Sequence, residues 1–141
     1  MRFEPAKNGM RTLLDTHTWL WWASEDRRLS KQARSAIAKS QAHDDVWVSL
    51  ISVWELAKKV EKKQLVLDRP LDQWLDAATM MTGLHLAEIT RSILVESCEL
   101  PQPFHGDPAD QIIVATARRE NAVLITRDGR MLDYSHVRSL W

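Results

Sequence analysis

Short apolar, strand-like runs alternate with helix-periodic segments along this chain, and that alternation limits the fold more than any other feature. Arg11 to Leu14 is an apolar run that ends at Asp15 and reads as a buried strand. Thr16 to Trp22 reads as a helix that Asp15 or Thr16 can cap. Ser30 opens a second helix with Ala33, Ile37 and Ala38 on one face. Val46 to Leu50 is β-branched and aromatic, hence a strand. Ser52 then caps a helix whose apolar face is Val53, Leu56, Ala57 and Val60. Pro70 precedes another helix, with Leu71, Trp74, Leu75 and Ala78 at helical spacing. Leu84 to Ile89 is a third strand, and Thr90 caps a helix through Cys98. The Pro- and Gly-containing stretch PQPFHGDP is a loop. Asp107 and Pro108 together start the next helix, because Pro is tolerated at the first helical position. Ala122 to Thr126 is a strand, RDGR a turn, and His136 to Trp141 a short last strand. Such alternation predicts a mostly parallel sheet with helices on both faces, an α/β fold.

At 141 residues the chain is sized for one domain with a real core. Its 19 basic and 19 acidic residues cancel, so the whole-chain charge carries no footprint of a nucleic-acid binder. The local pairs Arg27-Arg28, Lys58-Lys59, Lys62-Lys63 and Arg118-Arg119 read as solvated helix faces before they read as RNA contacts. The lone Cys98 excludes an intramolecular disulfide and a thiolate metal cage, and reads as a small core hydrophobe. No apolar run approaches the ~18 residues of a membrane span, and MRFEPAKNGM lacks an apolar signal core. A cytoplasmic protein is expected. Residues 1–9 read as a flexible N-terminal extension, with the domain running from Met10 to Trp141. Seven Trp are many for this length. Most fall at core spacing, so packing is favoured over base stacking; Trp21, Trp22 and Trp141 are harder to place and suit an interface.

The acids at the strand-to-helix junctions carry the chemistry. Each has a bland explanation. Asp15 is a good N-cap. Glu55 lies four residues before Lys59, an ordinary surface pair. Asp107 is well placed as the cap before Pro108. Asp110, in a first helical turn, is favoured by the helix dipole. Asp128 suits a turn. Chance capping does not require them to share one edge of a sheet, yet the alternation brings Asp15, Glu55, Asp110 and Asp128 to the carboxyl ends of parallel strands, where ligands bind. Carboxylates gathered there repel one another unless a cation lies between them. Hard cations such as Mg²⁺ or Mn²⁺ take oxygen ligands, and a bound metal can polarise a phosphoryl oxygen and acidify its water. The set therefore points to phosphodiester chemistry.

Other constellations are weaker. There is no GxGxxG, no phosphate loop and no zinc-ligand spacing among the five His. His105 reads as a loop residue, with proton transfer as its less favoured role. Ser49 and Ser52 read as helix-entry residues, because no His–acid pair accompanies them.

The stretches LLDTHTWLWW, VSLISVWELAKK, HGDPADQIIVATA and LITRDGRM, in this order and spacing, resemble the motifs of the PIN-domain family, and more narrowly of the VapC-type toxins of bacterial toxin–antitoxin pairs. The resemblance spans residues 11 to 132, and HGDPADQIIVATA is its most specific part. It implies a three-layer α/β/α fold and a divalent-metal-dependent endoribonuclease that cleaves structured RNA, often tRNA or ribosomal RNA. By matching motifs, Asp15, Glu55, Asp110 and Asp128 take the four acidic positions. Asp15 and Asp110 are then the main ligands of Mg²⁺ or Mn²⁺, Asp128 binds metal directly or through water, and Glu55 holds or activates the attacking water. Asp107 is an additional acid and a further candidate ligand, and the Thr126 hydroxyl is placed to orient the site. The resemblance also implies a homodimer and a cognate antitoxin that inserts a segment into the site. Two rival readings accompany it. One is a non-catalytic RNA- or protein-binding module on the same fold. The other is a phosphatase or receiver-like domain with Asp15 as nucleophile, for which the sequence shows no basic partner.

Overall fold

A computed structural model describes residues 10–141; the extension expected over residues 1–9 lies outside them. The elements run β1 (Thr12–Leu14), α1 (Thr16–Ala23), α2 (Lys31–Ala42), β2 (Val46–Ser49), α3 (Leu50–Glu61), α4 (Leu71–Thr79), β3 (Leu84–Ala87), α5 (Arg91–Ser97), α6 (Pro108–Arg119), β4 (Val123–Ile125), α7 (Gly129–Leu132) and β5 (Ser139–Leu140). The strands pair in the order β3-β2-β1-β4-β5, and every pairing is parallel.

The two-residue period of the strands divides the apolar side chains between two cores. Leu14, Val46, Val48 and Ile125 face one layer, where α1, α2, α3 and α4 supply Trp19, Ala33, Ile37, Leu56 and Trp74. Leu13, Trp47, Ala87 and Leu124 face the other, with Ile93 of α5, Ile113 and Val114 of α6 and Met131 of α7. Burial on both faces is why these strands are near-continuous apolar runs rather than alternating ones. The result is a three-layer α/β/α sandwich. No helix among the described residues is long and apolar enough to cross a membrane.

The elements depart from sequence expectation at particular junctions. The cap of α3 is Ser49, whose Oγ accepts from the Ile51 N–H at 3.1 Å; Ser52 lies inside the first turn, fully buried. The apolar run VWVSLIS reads equally well as strand or helix core, so its composition does not mark the switch. The expected RDGR turn is instead the start of α7, with Asp128 as its N-cap. On α2, Ala38 is exposed, and Ala36 and Ser40 take inward positions beside Ala33 and Ile37. Ser40 Oγ lies 2.6 Å from Thr12 Oγ1, so a polar pair completes that face. Cys98 is exposed rather than in the core, since Ile93 and Ser97 occupy the inward side of α5. Trp21 is buried and meets Trp141 edge-on at 5.8 Å within the chain. The Trp left most open is Trp54, 56% exposed.

Gly83, just before β3, has φ +80°, and a Cβ there would lie 2.8 Å from the Gln41 carbonyl oxygen. That oxygen belongs to α2 backbone and cannot swing away. Gly83→Ala is therefore expected to destabilise the domain by about 2 kcal/mol through left-handed strain plus the clash. Urea unfolding measures this; a midpoint within error of the parent would mean the junction relaxes freely.

Candidate active site

Parallel strands place all their carboxyl ends on one edge, and helices that return antiparallel to them start at that same edge. The acids meet there for this reason. Asp15 follows β1 and caps α1. One of its oxygens accepts from the Thr18 N–H at 2.9 Å, and the other accepts from the Thr126 hydroxyl. Thr126 directly follows β4, so Asp15 ties together the ends of two neighbouring strands. Its hydroxyl oxygen also accepts from the Asp128 N–H at 3.0 Å.

Glu55 reaches the same edge from α3. The Thr16 hydroxyl donates toward its Oε1 at 2.5 Å, with Ser52 Oγ as an alternative acceptor at 2.8 Å. Glu55 thus makes an inward contact, while the charge of Lys59, four residues on, still acts on it. Asp107 caps α6 by accepting from the Asp110 N–H at 3.0 Å. Asp110, one turn in, has its Oδ2 2.6 Å from His105 Nε2. Asp128 caps α7, and its Oδ2 lies 3.0 Å from Arg130 Nη2. The same Arg130 nitrogen lies 3.7 Å from Asp110 Oδ2.

Asp15, Glu55, Asp107, Asp110 and Asp128 all line one cavity of about 460 Å³. Lys59, Arg127 and Arg130 form its cationic rim. A second cavity of equal volume lies between α1, α4 and the segment joining α3 to α4, and shares Trp21 with the first. Its two acids, Asp26 and Asp68, are each neutralised by an adjacent arginine, Arg28 and Arg69. Only the first cavity gathers acids in excess of local partners.

The electrostatics follow from burial and crowding. Burial pushes the Asp15 carboxyl above its ordinary range, against the hydrogen bonds from Thr126 and Thr18. Burial raises Glu55 as well; Thr16 opposes this, while the charges of Asp110 and Asp107 add to it. Asp110 is raised by burial, opposed by the His105 hydrogen bond, and raised further by Asp107 and Asp128. Asp128 alone is held low, chiefly by its hydrogen bond from Arg130.

The donor set suits a hard divalent cation, since every candidate ligand is a carboxylate oxygen. As the side chains stand, no three His, Cys, Asp or Glu among the described residues converge tightly enough to enclose one. Each acid is instead turned to a protein donor: Asp15 to Thr126, Glu55 to Thr16, Asp110 to His105, Asp128 to Arg130. A cation entering the cavity competes with Arg130 for both Asp110 and Asp128.

All four acids singled out in the sequence reach the cavity, and so does Asp107. Capping and cavity-lining are not alternatives here, because Asp15, Asp107 and Asp128 do both. Ser49 caps α3, and Ser52 Oγ, inside the first turn, accepts from the Thr16 hydroxyl. Sequence reasoning missed Thr16 and Arg130. Thr16 directly follows an acid at a strand end, and Arg130 sits two residues after another; in both cases the hydroxyl or guanidinium falls in the first helical turn beside the cavity. That spacing was the available signal.

A family model described as the PIN domain matches residues 12–137. Among curated proteins, Ribonuclease VapC22 of Mycobacterium tuberculosis is 36% identical over 126 residues, covering 89% of this chain and 93% of that protein. Among solved structures, VapBC2 from Rickettsia felis bound to a DNA fragment from its promoter superposes with a TM-score of 0.67 at 16% identity, covering 93% of this chain and 98% of that one. A toxin–antitoxin complex from Klebsiella pneumoniae gives a TM-score of 0.63 at 22% identity, covering 92% and 96%.

Proposed function

The chain belongs to the PIN-domain family, and from that premise we propose that it is a divalent-metal-dependent endoribonuclease acting as the toxin of a toxin–antitoxin pair. The observation that carries the reading is the single cavity at the strand ends, lined by five carboxylates with cationic side chains at its rim. The relative in Mycobacterium tuberculosis is named a ribonuclease, and the similar solved structures include toxin–antitoxin complexes; both support it.

In this reading Asp15 and Asp110 are the main metal ligands, and Asp128 binds directly or through water once Arg130 gives way. Mg²⁺ or Mn²⁺, when bound, polarises the scissile phosphoryl oxygen and stabilises the charge that develops on it. Glu55 holds the attacking water and accepts its proton. Burial and the neighbouring acids raise its affinity for a proton, which suits it to that task. Thr126 holds Asp15 in place and Thr16 holds Glu55. Lys59, Arg127 and Arg130 meet the phosphates of the substrate, so a neutral chain binds RNA through a local patch. The cognate antitoxin acts by covering this cavity. The protein works as a homodimer in the cytoplasm, with Trp54 as the aromatic residue most open to a second copy.

The nucleophilic-aspartate reading is not favoured. The cavity does hold the basic side chains that the sequence alone did not reveal. Asp15, however, is only 6% exposed with both oxygens already engaged, and so is poorly placed to attack phosphorus.

Two measurements test the proposal. Purified protein should cleave RNA internally in Mg²⁺ or Mn²⁺ and stop when the metal is chelated. Thermal melts should show the carboxylate cluster directly. Asp15, Glu55 and Asp110 have folded-state pKa values above those of the unfolded chain. Their contribution to stability is full below the unfolded value of ~4 and is lost as pH rises through the folded values. Asp128 has the opposite sign, but it faces solvent and contributes little. The metal-free protein should therefore melt lower at about pH 7 than at about pH 5 as far as this cluster governs it. Mn²⁺ should raise Tm more at the higher pH, where it need not displace protons. No cleavage in either metal, with no Mn²⁺ effect on melting, would leave the non-catalytic binding module as the better reading.

A further inference from the structure

His105 lies in the loop between α5 and α6, five residues before Asp110, and has no assigned role in the reaction. Its side chain is 17% exposed and that of Asp110 15%. Nε2 sits 2.6 Å from Asp110 Oδ2. A carboxylate only accepts hydrogen bonds, so Nε2 is the donor. The other ring nitrogen, Nδ1, is buried and has no hydrogen-bond partner. A proton there would be a buried donor with no acceptor, which is costly; the single proton of the neutral ring therefore belongs on Nε2.

The ring is packed against a neighbour, and the loop that carries it is tied at both ends. Phe104 packs against it with centroids 4.3 Å apart, and Phe104 in turn packs on Tyr134 at 4.6 Å. The Tyr134 hydroxyl donates to the Pro101 carbonyl at 2.6 Å, fixing the start of the loop to the segment after α7. Gln111 Nε2 donates to the His105 carbonyl at 3.1 Å, fixing its end to α6. A loop that served only to connect two helices would not need an imidazole held this way against a cavity acid. Among the described residues, both side-chain contacts to Asp110 fall on Oδ2, which leaves Oδ1 for another partner.

We propose that His105 is a positioning residue that orients the Asp110 carboxylate for divalent-cation binding through its Nε2–H···Oδ2 hydrogen bond. The inference rests on the proposed metal-dependent reading of the cavity. It differs from a loop-anchoring role, which the Phe104, Tyr134 and Gln111 contacts would supply without any bond to Asp110.

The test compares the full chain with His105→Leu, which fills the space without a donor, and His105→Gln, whose amide nitrogen extends about as far as Nε2. Each is titrated with Mn²⁺ while Tm is followed, and each is melted without metal. The Mn²⁺ concentration giving the half-maximal shift should rise about tenfold in His105→Leu, as for other groups that orient a metal ligand, and return close to parental in His105→Gln. RNA cleavage should follow the same order and recover in the leucine variant at high Mn²⁺. If the leucine variant does not fold, His105→Asn, whose amide is too short to reach, takes its place with the same expectation. A lowered metal-free Tm with an unchanged Mn²⁺ midpoint would overturn the positioning role and leave a structural one. A parent that does not respond to Mn²⁺ would instead overturn the metal-dependent reading, and this inference with it.

Discussion

Asp15→Asn is expected to reduce RNA cleavage at least about a hundredfold while leaving the fold intact. Asn matches Asp in shape. Its carbonyl oxygen can keep the bond from the Thr18 N–H, and its amide can donate to the Thr126 oxygen in place of the bond it now receives. The cap of α1 therefore survives, because Asn caps about as well as Asp. The negative charge at the centre of the cavity does not survive. On the proposed reading, losing a metal-binding oxygen removes several kcal/mol of transition-state stabilisation, and each 1.4 kcal/mol is about tenfold in rate. Stability should move the other way. Burial holds the Asp15 carboxyl above its ordinary pKa, so its charged form is disfavoured in the fold, and a neutral amide relieves that. Without metal the variant should melt at or above the parental temperature, and its response to Mn²⁺ should be smaller. Asp110→Asn and Glu55→Gln should lose activity similarly. Asp107→Asn should be mild, since its amide oxygen still caps α6. Parental cleavage by Asp15→Asn in Mg²⁺ or Mn²⁺ would show that the reaction is run elsewhere.

The largest stability effect is expected at the opposite edge of the sheet. Arg11 precedes β1 and Asp45 precedes β2, and the two meet in a buried pair with Nε 2.9 Å from Oδ1. The same oxygen accepts from Trp47 Nε1 at 2.8 Å, and an Arg11 guanidinium nitrogen donates to the Glu120 carbonyl at 3.3 Å. Removing the carboxylate takes the Asp45 contact from a buried guanidinium and this acceptor from the indole N–H. Asp45→Ala should cost about 3–5 kcal/mol, a large share of the 5–15 kcal/mol typical of a domain. Replacing both partners with apolar residues, Arg11→Met with Asp45→Leu, should be less damaging than Asp45→Ala alone, because the buried charge is then removed together with its partner. Urea denaturation of the parent, Asp45→Ala and the double variant measures this. Equal losses in the single and double variants would mean that packing, rather than the ion pair, accounts for the cost. Mn²⁺ affinity should be unchanged in any folded variant, since the pair and the acid cavity lie at opposite ends of the strands.

These two sites differ in how far they can be read from the sequence. Asp15 follows a strand and Asp110 and Asp128 open helices, and parallel strands bring such positions to one edge whatever their order; Glu55 reaches that edge from the second turn of α3. Arg11 and Asp45 are separated by 34 positions, and no periodicity links them. The pair exists because β1 and β2 are neighbours, a fact of strand order. His105 and Asp110 are close in sequence, yet their contact depends on a loop path set by Tyr134 and Gln111. The Arg130 bridge from Asp128 to Asp110 likewise requires α6 and α7 to start at the same rim.

The sequence by itself determined most of the element types, the parallel α/β class and the acids that line the cavity, but not that RDGR opens a helix. Side-chain periodicity and helix-start chemistry are local, and they survive whatever the rest of the chain does. It did not determine where β2 gives way to α3, because Val46 to Ser52 is apolar enough to be buried in either state. The boundary falls at Ser49, where a hydroxyl can satisfy the free Ile51 N–H in the first turn of the helix. Only the tertiary structure decided that one residue could serve two ends at once. Asp15 caps a helix with one oxygen and meets Thr126 with the other, which no local pattern encodes, since the second partner comes from a strand end 111 positions away. Only it decided, too, that the acids would be crowded and buried enough for Glu55 and Asp110 to hold their protons more tightly. That depends on the distances between side chains from different elements, and such distances exist only once the sheet has formed.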